Sequence, residues 1–442
     1  MKSRFLKALF ENLHGCYYKF NLFIESARSV SHPTGAIGGI REVPMNQNPI
    51  IEKLGRRLRL AVIGGGSGSF IGAMHRQAAV LDGRYDIVAG ALSSRPEKAR
   101  SDGRRIGLPE DRIYEDAMKL IRSESERPDS AEVIAIMTPN DSHFQYAAAA
   151  LDSGRDVICD KPMTNTMEDA EALYKKVRET GLVFCLTHNY SGYPMVRQAR
   201  AMVRDGFLGS VRLIQVEYVQ GGKADENDPD PTGHDIPWRY DPVRGGPSLV
   251  MGDIGTHAHH LIRYITGLEV TELSAEIGAI VPGRKTHDFV GALLRFDNGA
   301  RGCFWVTQAA AGVENSLRIR ISGTAGTVEW DQEIPQRLEY KPLAGPSELR
   351  TPNGPGILPL AKRASRIVAG HPEGFHEAFA NIYSDAAEAI VARRTGTEAD
   401  VLSTTFPTVF DGLMGVRFVH DVIRSSEEAG RWVSCVTGTA KD

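Results

Sequence analysis

Cysteine is scarce and scattered in this 442-residue chain. Its five cysteines, Cys16, Cys159, Cys185, Cys303 and Cys435, form no metal-ligand spacing. Their odd number fits reduced thiols in a cytoplasmic protein rather than a disulfide framework. No apolar run approaches the roughly 20 residues that a membrane-spanning helix needs. An excess of one charge is missing too: 52 basic and 55 acidic residues leave a formal net charge of −3. That balance gives no reason to expect nucleic acid or an anionic membrane as partner. The sequence has no internal repeat.

What is present is an ordinary globular composition, 42% apolar and 24% charged, in a chain long enough for two domains. Residues 1–56 read as an N-terminal extension, disordered or translated from a mis-assigned start, with Met45 as the alternative beginning. The stretch Tyr17 to Phe23 is interrupted by Lys19 and Asn21, a poor signal-peptide core, and no twin-arginine motif accompanies it.

From Leu58 onward short apolar runs alternate with helical patterns. Strands are expected at Leu58–Ile63, Ile87–Leu92, Val133–Met137, Val157–Cys159 and Leu182–Leu186. Helices are expected at Ile71–Leu81 and His143–Leu151, and between a Thr166/Asp169 cap and Gly181. This alternation predicts a Rossmann-like α/β domain over 57–188, a doubly wound parallel sheet. After a helix ending near Asp205 the rhythm changes. Val211–Val219, Leu273–Ile280, Val290–Phe296, Gly302–Thr307, Leu317–Ser322 and Thr327–Trp330 alternate as strands joined by turns such as Asp297-Asn-Gly299. Residues 189–442 therefore read as an α+β domain with a large, mostly antiparallel open sheet. Pro342 to Pro359 reads as a surface loop.

Three clusters carry chemistry. Gly64, Gly66 and Gly68, with Ser69 and Phe70, join a strand to a helix, the setting in which backbone N–H groups cradle a pyrophosphate, and Gly72 takes the helix-packing position. The second strand ends in Ser93-Ser94-Arg95 instead of the acidic residue that grips an NAD ribose, so NAD and NADP both stand as cofactors. Thr138, Pro139 and Asn140 lie at the carboxyl edge of the sheet. Asn140 either contacts the dinucleotide or caps the helix opening near His143. The second cluster is Cys159-Asp160-Lys161-Pro162, with Lys161 leaving a strand on the same edge, placed to stabilise a developing alkoxide. The third is Asp253-Ile-Gly-Thr-His257: four residues apart on a helix, the pair shares one face and suits a base with its orienting carboxylate, though Asp253 as a simple N-cap is the alternative. His259 and His260 point different ways on a helix, and no metal is expected.

Together these pieces resemble the Gfo/Idh/MocA oxidoreductase family, over about Leu58 to Val433. The resemblance rests on the glycine loop, Thr138-Pro-Asn-Asp-Ser-His143, Asp160-Lys161-Pro162, and Gly245-Gly246 ahead of Asp253-Ile-Gly-Thr-His257. It implies that Lys161 orients a sugar hydroxyl, that His257 is the acid/base with Asp253 assisting, and that Asp160 and His143 belong to the cofactor side. Asn189, Tyr190, Trp238, Arg239 and His371 are the candidates for substrate contact. It further implies a homodimer or homotetramer. Two departures stand out: Asp160 where the family has Glu, and His260 where it commonly has Asp. The expected activity is NAD(P)-dependent oxidation of a secondary hydroxyl on a sugar, glycoside or inositol. The alternative is a redox-neutral glycosidase or lyase with bound NAD.

Overall fold

In the computed structural model, which describes residues 48–225 and 237–435, the alternating pattern builds a five-stranded parallel sheet. Its strands are β1 (Leu58–Gly64), β2 (Tyr85–Ala91), β3 (Val133–Met137), β4 (Asp156–Cys159) and β5 (Phe184–Leu186), in the order β2-β1-β3-β4-β5. Every residue of β3 and β4 is buried, as a parallel sheet covered on both faces requires. The strand order reverses between β1 and β3, and the carboxyl edge at such a switch point is where open α/β sheets bind ligands. β5 is shorter than the sequence suggests. Gly181, at φ 64, closes the helix Met167–Thr180 by donating to the Val177 carbonyl, so the chain is still turning at Leu182. Thr166 caps the same helix by accepting from the Asp169 N–H at 3.2 Å.

The second sheet has nine strands: β6 (Val211–Val219), β7 (Val270–Gly278), β8 (Phe289–Phe296), β9 (Arg301–Thr307), β10 (Ser316–Gly323), β11 (Gly326–Asp331), β12 (Leu338–Pro342), β13 (Glu348–Arg350) and β14 (Val433–Ser434). Their order is β13-β12-β11-β10-β6-β9-β8-β7-β14, antiparallel throughout except for the β6–β9 pair. Alternate residues of β9 are buried and exposed, so one face packs on helices and the other is open. β13 falls inside the stretch read as a surface loop, because Glu348-Leu-Arg350 carries no apolar alternation to reveal it.

Two long C-terminal helices complicate the division at residue 188. The helix Phe375–Thr395 places Phe379, Ile382, Tyr383 and Ala386 against β1, β2 and the helix Phe70–Leu81 on one face of the first sheet. The helix Val409–Glu427 places Val409, Leu413 and Val416 on the opposite face, and Phe418, Val419 and Val422 in the core of the second sheet. An apolar stripe shows that a helix is buried but not against which layer, so the sequence assigned both to the second domain. A buried ion pair, Arg197 to Asp385 at 2.7 Å, joins the helix Pro194–Arg204 to the first of them. At the other end, the helix Pro49–Leu54 belongs to the fold although the sequence placed it in the extension: Asn48 caps it and Ile50 is 1% exposed. The rest of the extension, residues 1–47, lies outside the described residues. No helix among the described residues is long and apolar enough to cross a membrane.

Candidate active site

The loop Gly64–Ser69 leaves the carboxyl end of β1 and opens the helix Phe70–Leu81. Ser69 caps that helix by accepting from the Gly72 N–H at 3.1 Å. A Cβ on Gly72 would collide with the backbone of Gly65, so only glycine lets helix and loop touch here. Gly68 has φ +83 with open space where a side chain would be. The cradle is therefore lined by backbone beside a helix N-terminus, which fits a dinucleotide pyrophosphate. Asp102 secures it. This carboxylate accepts from the Ser67 N–H at 2.9 Å and lies 3.1 Å from Lys98 Nζ. Burial pushes Asp102 upward, but its bonds to Ser67 and Lys98 outweigh that and hold it below the usual carboxylate range.

A second cluster assembles where β4 faces the nine-stranded sheet. Lys161 Nζ donates to the Asp253 carbonyl at 2.6 Å and lies 3.5 Å from Asp253 Oδ1. The other carboxylate oxygen, Oδ2, accepts from Gln308 Nε2 at 2.8 Å and lies 3.6 Å from Lys223 Nζ. Lys223 also donates to Gln308 Oε1 at 2.8 Å, and Gln308 Nε2 to Gln220 Oε1 at 3.1 Å. The register explains this meeting: Val219 of β6 pairs with Thr307 of β9, so Gln220 and Gln308 leave the sheet side by side.

Asp253 occupies a π-helical turn, Met251–Gly255, that runs directly into the α-helix Thr256–Thr266. It is therefore not the N-cap of that helix; such turns often mark functional sites. His257 sits in the first turn of the α-helix with its Nδ1 3.4 Å from Nδ1 of His188. Tyr190 stands edge-on to the His257 ring at 4.9 Å between centroids, and His188 stacks on His260 at 4.4 Å. The Tyr190 hydroxyl bonds that of Tyr218, which donates to Asn315 Oδ1 at 2.9 Å.

Residues 58–188 match the model of an oxidoreductase family with an NAD-binding Rossmann fold, and residues 196–329 match the GFO/IDH/MocA C-terminal domain. The chain is 31% identical over 393 residues to the uncharacterized oxidoreductase YfiI of Bacillus subtilis (strain 168), covering 88% of this chain and 99% of that protein. The chain belongs to the Gfo/Idh/MocA oxidoreductase family. Among solved structures, an oxidoreductase from Sinorhizobium meliloti is 45% identical with a TM-score of 0.77, covering 86% of this chain and 99% of the other. An inositol dehydrogenase homolog from Azotobacter vinelandii, complexed with NADH and myo-inositol, is 32% identical with a TM-score of 0.79, covering 86% and 98%.

In this Gfo/Idh/MocA oxidoreductase the charges around the cluster are set by burial and neighbours. Burial, then Lys161, pushes the His257 pKa well below the ordinary imidazole value, against opposition from Asp160 and Asp253. Burial and the neighbouring His260 and His257 do the same to His188. Asp253 is pushed up by burial, but Lys161, Lys223 and Arg239 hold it far below the usual carboxylate range. At neutral pH the site thus holds an uncharged imidazole beside an ionised carboxylate ringed by cations. Burial lowers Lys223.

Several residues singled out by the sequence serve different partners from those expected. His257 turns its Nδ1 to His188, not Asp253, so the carboxylate orients the lysines instead of the imidazole. Asn140 neither caps a helix nor stands free: its Nδ2 donates to the Gly245 carbonyl at 2.9 Å, pinning the turn before Asp253. His143 bridges the carbonyls of Thr138 and Pro162, both at 2.9 Å, and so ties the Thr138-Pro139-Asn140 turn to Lys161-Pro162. Asp160 accepts from the Lys161 N–H at 2.9 Å and from Thr187 Oγ1 at 3.0 Å. At the end of β2, Ser93 accepts from the Arg95 N–H at 3.1 Å, while Ser94 and Arg95 are exposed.

On the substrate side, Asn189 is buried with its Nδ2 lacking a partner among the described residues. Arg239 lies 4.5 Å over the Trp238 ring, and its charge reaches Asp253. His371 is exposed, and among the described residues no hydrogen bond, ion pair or ring contact joins its side chain to the cluster. Phe70 is 69% exposed and meets Phe375, four residues beyond His371, at 6.0 Å between rings. Sequence reasoning missed Lys223, Gln220, Gln308 and His188. His188 was within reach, because it follows β5 on the same sheet edge from which Thr138 and Lys161 emerge. Lys223 gave no signal, since a lysine in a polar loop ordinarily points to solvent.

Proposed function

We propose that this enzyme oxidises one secondary hydroxyl of a cyclic polyol, sugar or glycoside with NAD, and that inositol-like rings head the substrate class. The observation carrying this reading is the buried, uncharged His257 beside the Lys161–Asp253 pair, on the sheet edge that also holds the glycine cradle. A bound nicotinamide dinucleotide supplies the hydride acceptor. Lys161 presents its ammonium to the reacting hydroxyl and stabilises negative charge developing on the oxygen. His257 accepts the hydroxyl proton on Nε2. Asp253, held ionised by Lys161 and Lys223, fixes the lysine, and Asn189 brings an unspent donor to the substrate. The bound myo-inositol of the Azotobacter homolog supports the substrate class. The open face of the nine-stranded sheet, where Leu213, Leu293 and Trp305 stay exposed, supports assembly as a homodimer or homotetramer.

Reduced-nicotinamide absorbance against a panel of inositols, sugars and glycosides, with NAD and NADP in separate reactions, tests this. Turnover with NAD and a cyclic polyol is expected. Release of an aglycone with no reduced cofactor formed would replace the dehydrogenase with a redox-neutral glycosidase or lyase. Lys161→Met is expected to lower kcat about 100-fold with dinucleotide binding intact, as loss of one preorganised charge in a site of this kind does. Steady-state kinetics with a dinucleotide fluorescence titration read both halves, and unchanged kcat would remove Lys161 from the chemistry.

A further inference from the structure

A neutral imidazole that takes a proton on Nε2 must carry its own hydrogen on Nδ1, and the partner of Nδ1 sets that tautomer. In His257 that partner is His188 Nδ1, at 3.4 Å. Two like nitrogens at this separation share one hydrogen, so one ring donates and the other accepts. The His188 ring has little freedom to do otherwise. Its backbone N–H donates to the Leu186 carbonyl at 2.9 Å, and its carbonyl accepts from Ser191 Oγ at 2.8 Å. Its ring lies flat on His260, 8° from parallel, and edge-on to His257 at 81°. His260 occupies the position where the family resemblance leads one to expect a carboxylate, so a neutral ring packs there instead.

Resting on the reading of His257 as the base, we propose that His188 is a positioning residue that accepts the Nδ1 hydrogen of His257 and thereby keeps Nε2 bare for the substrate. When the substrate O–H bond breaks, its proton bonds to His257 Nε2. The resulting imidazolium still donates its Nδ1 hydrogen to His188, which stays neutral with its own hydrogen on Nε2. The charges acting on the pair come from every element around it. They are Lys161 and Asp160 after β4, Asp253 in the π turn, and His259 and His260 on the helix Thr256–Thr266; Arg263 on that helix, Arg200 on Pro194–Arg204 and Asp411 on Val409–Glu427 act in turn on His259 and His260. No carboxylate is hydrogen-bonded to either ring nitrogen of His257 among the described residues, which leaves the tautomer to His188.

The test pairs spectra with two variants of the full-length protein. Long-range proton–nitrogen NMR of histidine-labelled wild type is expected to show His257 protonated on Nδ1 and bare on Nε2. His188→Asn keeps an acceptor near the same point, and should retain that pattern and kcat within about threefold. His188→Phe keeps a ring but loses the acceptor. It should lower kcat about 100-fold with polyol KM and NAD affinity little changed. Its acidic kcat limb should also move to lower pH, because the imidazolium has lost a partner. A hydrogen on His257 Nε2 in the wild type, or wild-type kcat and pH limb in His188→Phe, would overturn the proposal. If no substrate of the panel turns over, the wild-type spectra still decide the tautomer, and the dehydrogenase reading alone falls.

Discussion

Replacing His257 by alanine is expected to lower kcat by about 1,000-fold or more, with NAD binding retained, because it removes the proton acceptor and leaves only positioning and charge. The glycine cradle, Asp102 and Lys98 stand apart from His257 in sequence and in hydrogen bonding, so the dinucleotide should bind as before. The pH profile supplies a second reading. The base works only when uncharged, so wild-type kcat/KM should fall as pH drops through the folded-state pKa of His257. Burial and Lys161 place that pKa below 6.5, so the acidic limb should lie below neutrality. In His257→Ala that limb should vanish. A variant within tenfold of wild type and keeping the limb would mean that another group takes the proton. Its melting temperature belongs beside the kinetics, because the deleted ring packs against Tyr190 and His188.

Mild acid is expected to destabilise this protein through its cluster of buried histidines. His188, His257, His259 and His260 are all buried and all held below the ordinary imidazole value, first by burial, with His260 pushed down to about 4. Unfolded, each ring takes up a proton as pH falls past 6.5; folded, it resists until its own lower pKa. Below pH 6.5 the unfolded chain therefore binds more protons, and stability drops with falling pH by up to about 1.4 kcal/mol per ring per pH unit. Above that pH the four rings contribute no slope. Urea midpoints measured at intervals from about pH 7.5 to about pH 5 should stay level at first and then decline steeply. A flat profile across that range would show that the rings are charged in the folded state.

The strands and the chemistry were readable to different depths. Val133–Met137 and Val211–Val219 stand at the residues their apolar runs indicated, because a strand buried on one or both faces writes its period directly into sequence. Lys161, Asp253 and His257 stood out as candidates because each sits in a compact motif, and the structure brings Lys161 and Asp253 into contact. The partners of these residues did not. Lys223, Gln308 and His188 reach the cluster from a loop and two strand ends scattered along the chain; only the position of His188 after β5 hinted at the meeting, and nothing local in Lys223 or Gln308 encodes it. Asn140 shows a further limit: the bond from its amide nitrogen to the Gly245 carbonyl depends on a residue 105 positions away, which the local sequence does not encode. Short β13 and the destination of the helix Phe375–Thr395 were hidden for the same reason, since both depend on what they touch.

That helix and Val409–Glu427 cover opposite faces of a sheet whose last strand ends at Leu186. During synthesis the first domain therefore cannot finish itself when its own strands have left the ribosome. The last helix of its cover is complete only at residue 427, about 240 residues later, which at 5–20 residues per second is on the order of ten to fifty seconds. For that interval the nascent sheet has its own helices, such as Phe70–Leu81 and Met167–Thr180, but the apolar surface that the two later helices cover stays exposed. The nucleotide-binding half of this enzyme is, in order of manufacture, the half completed last.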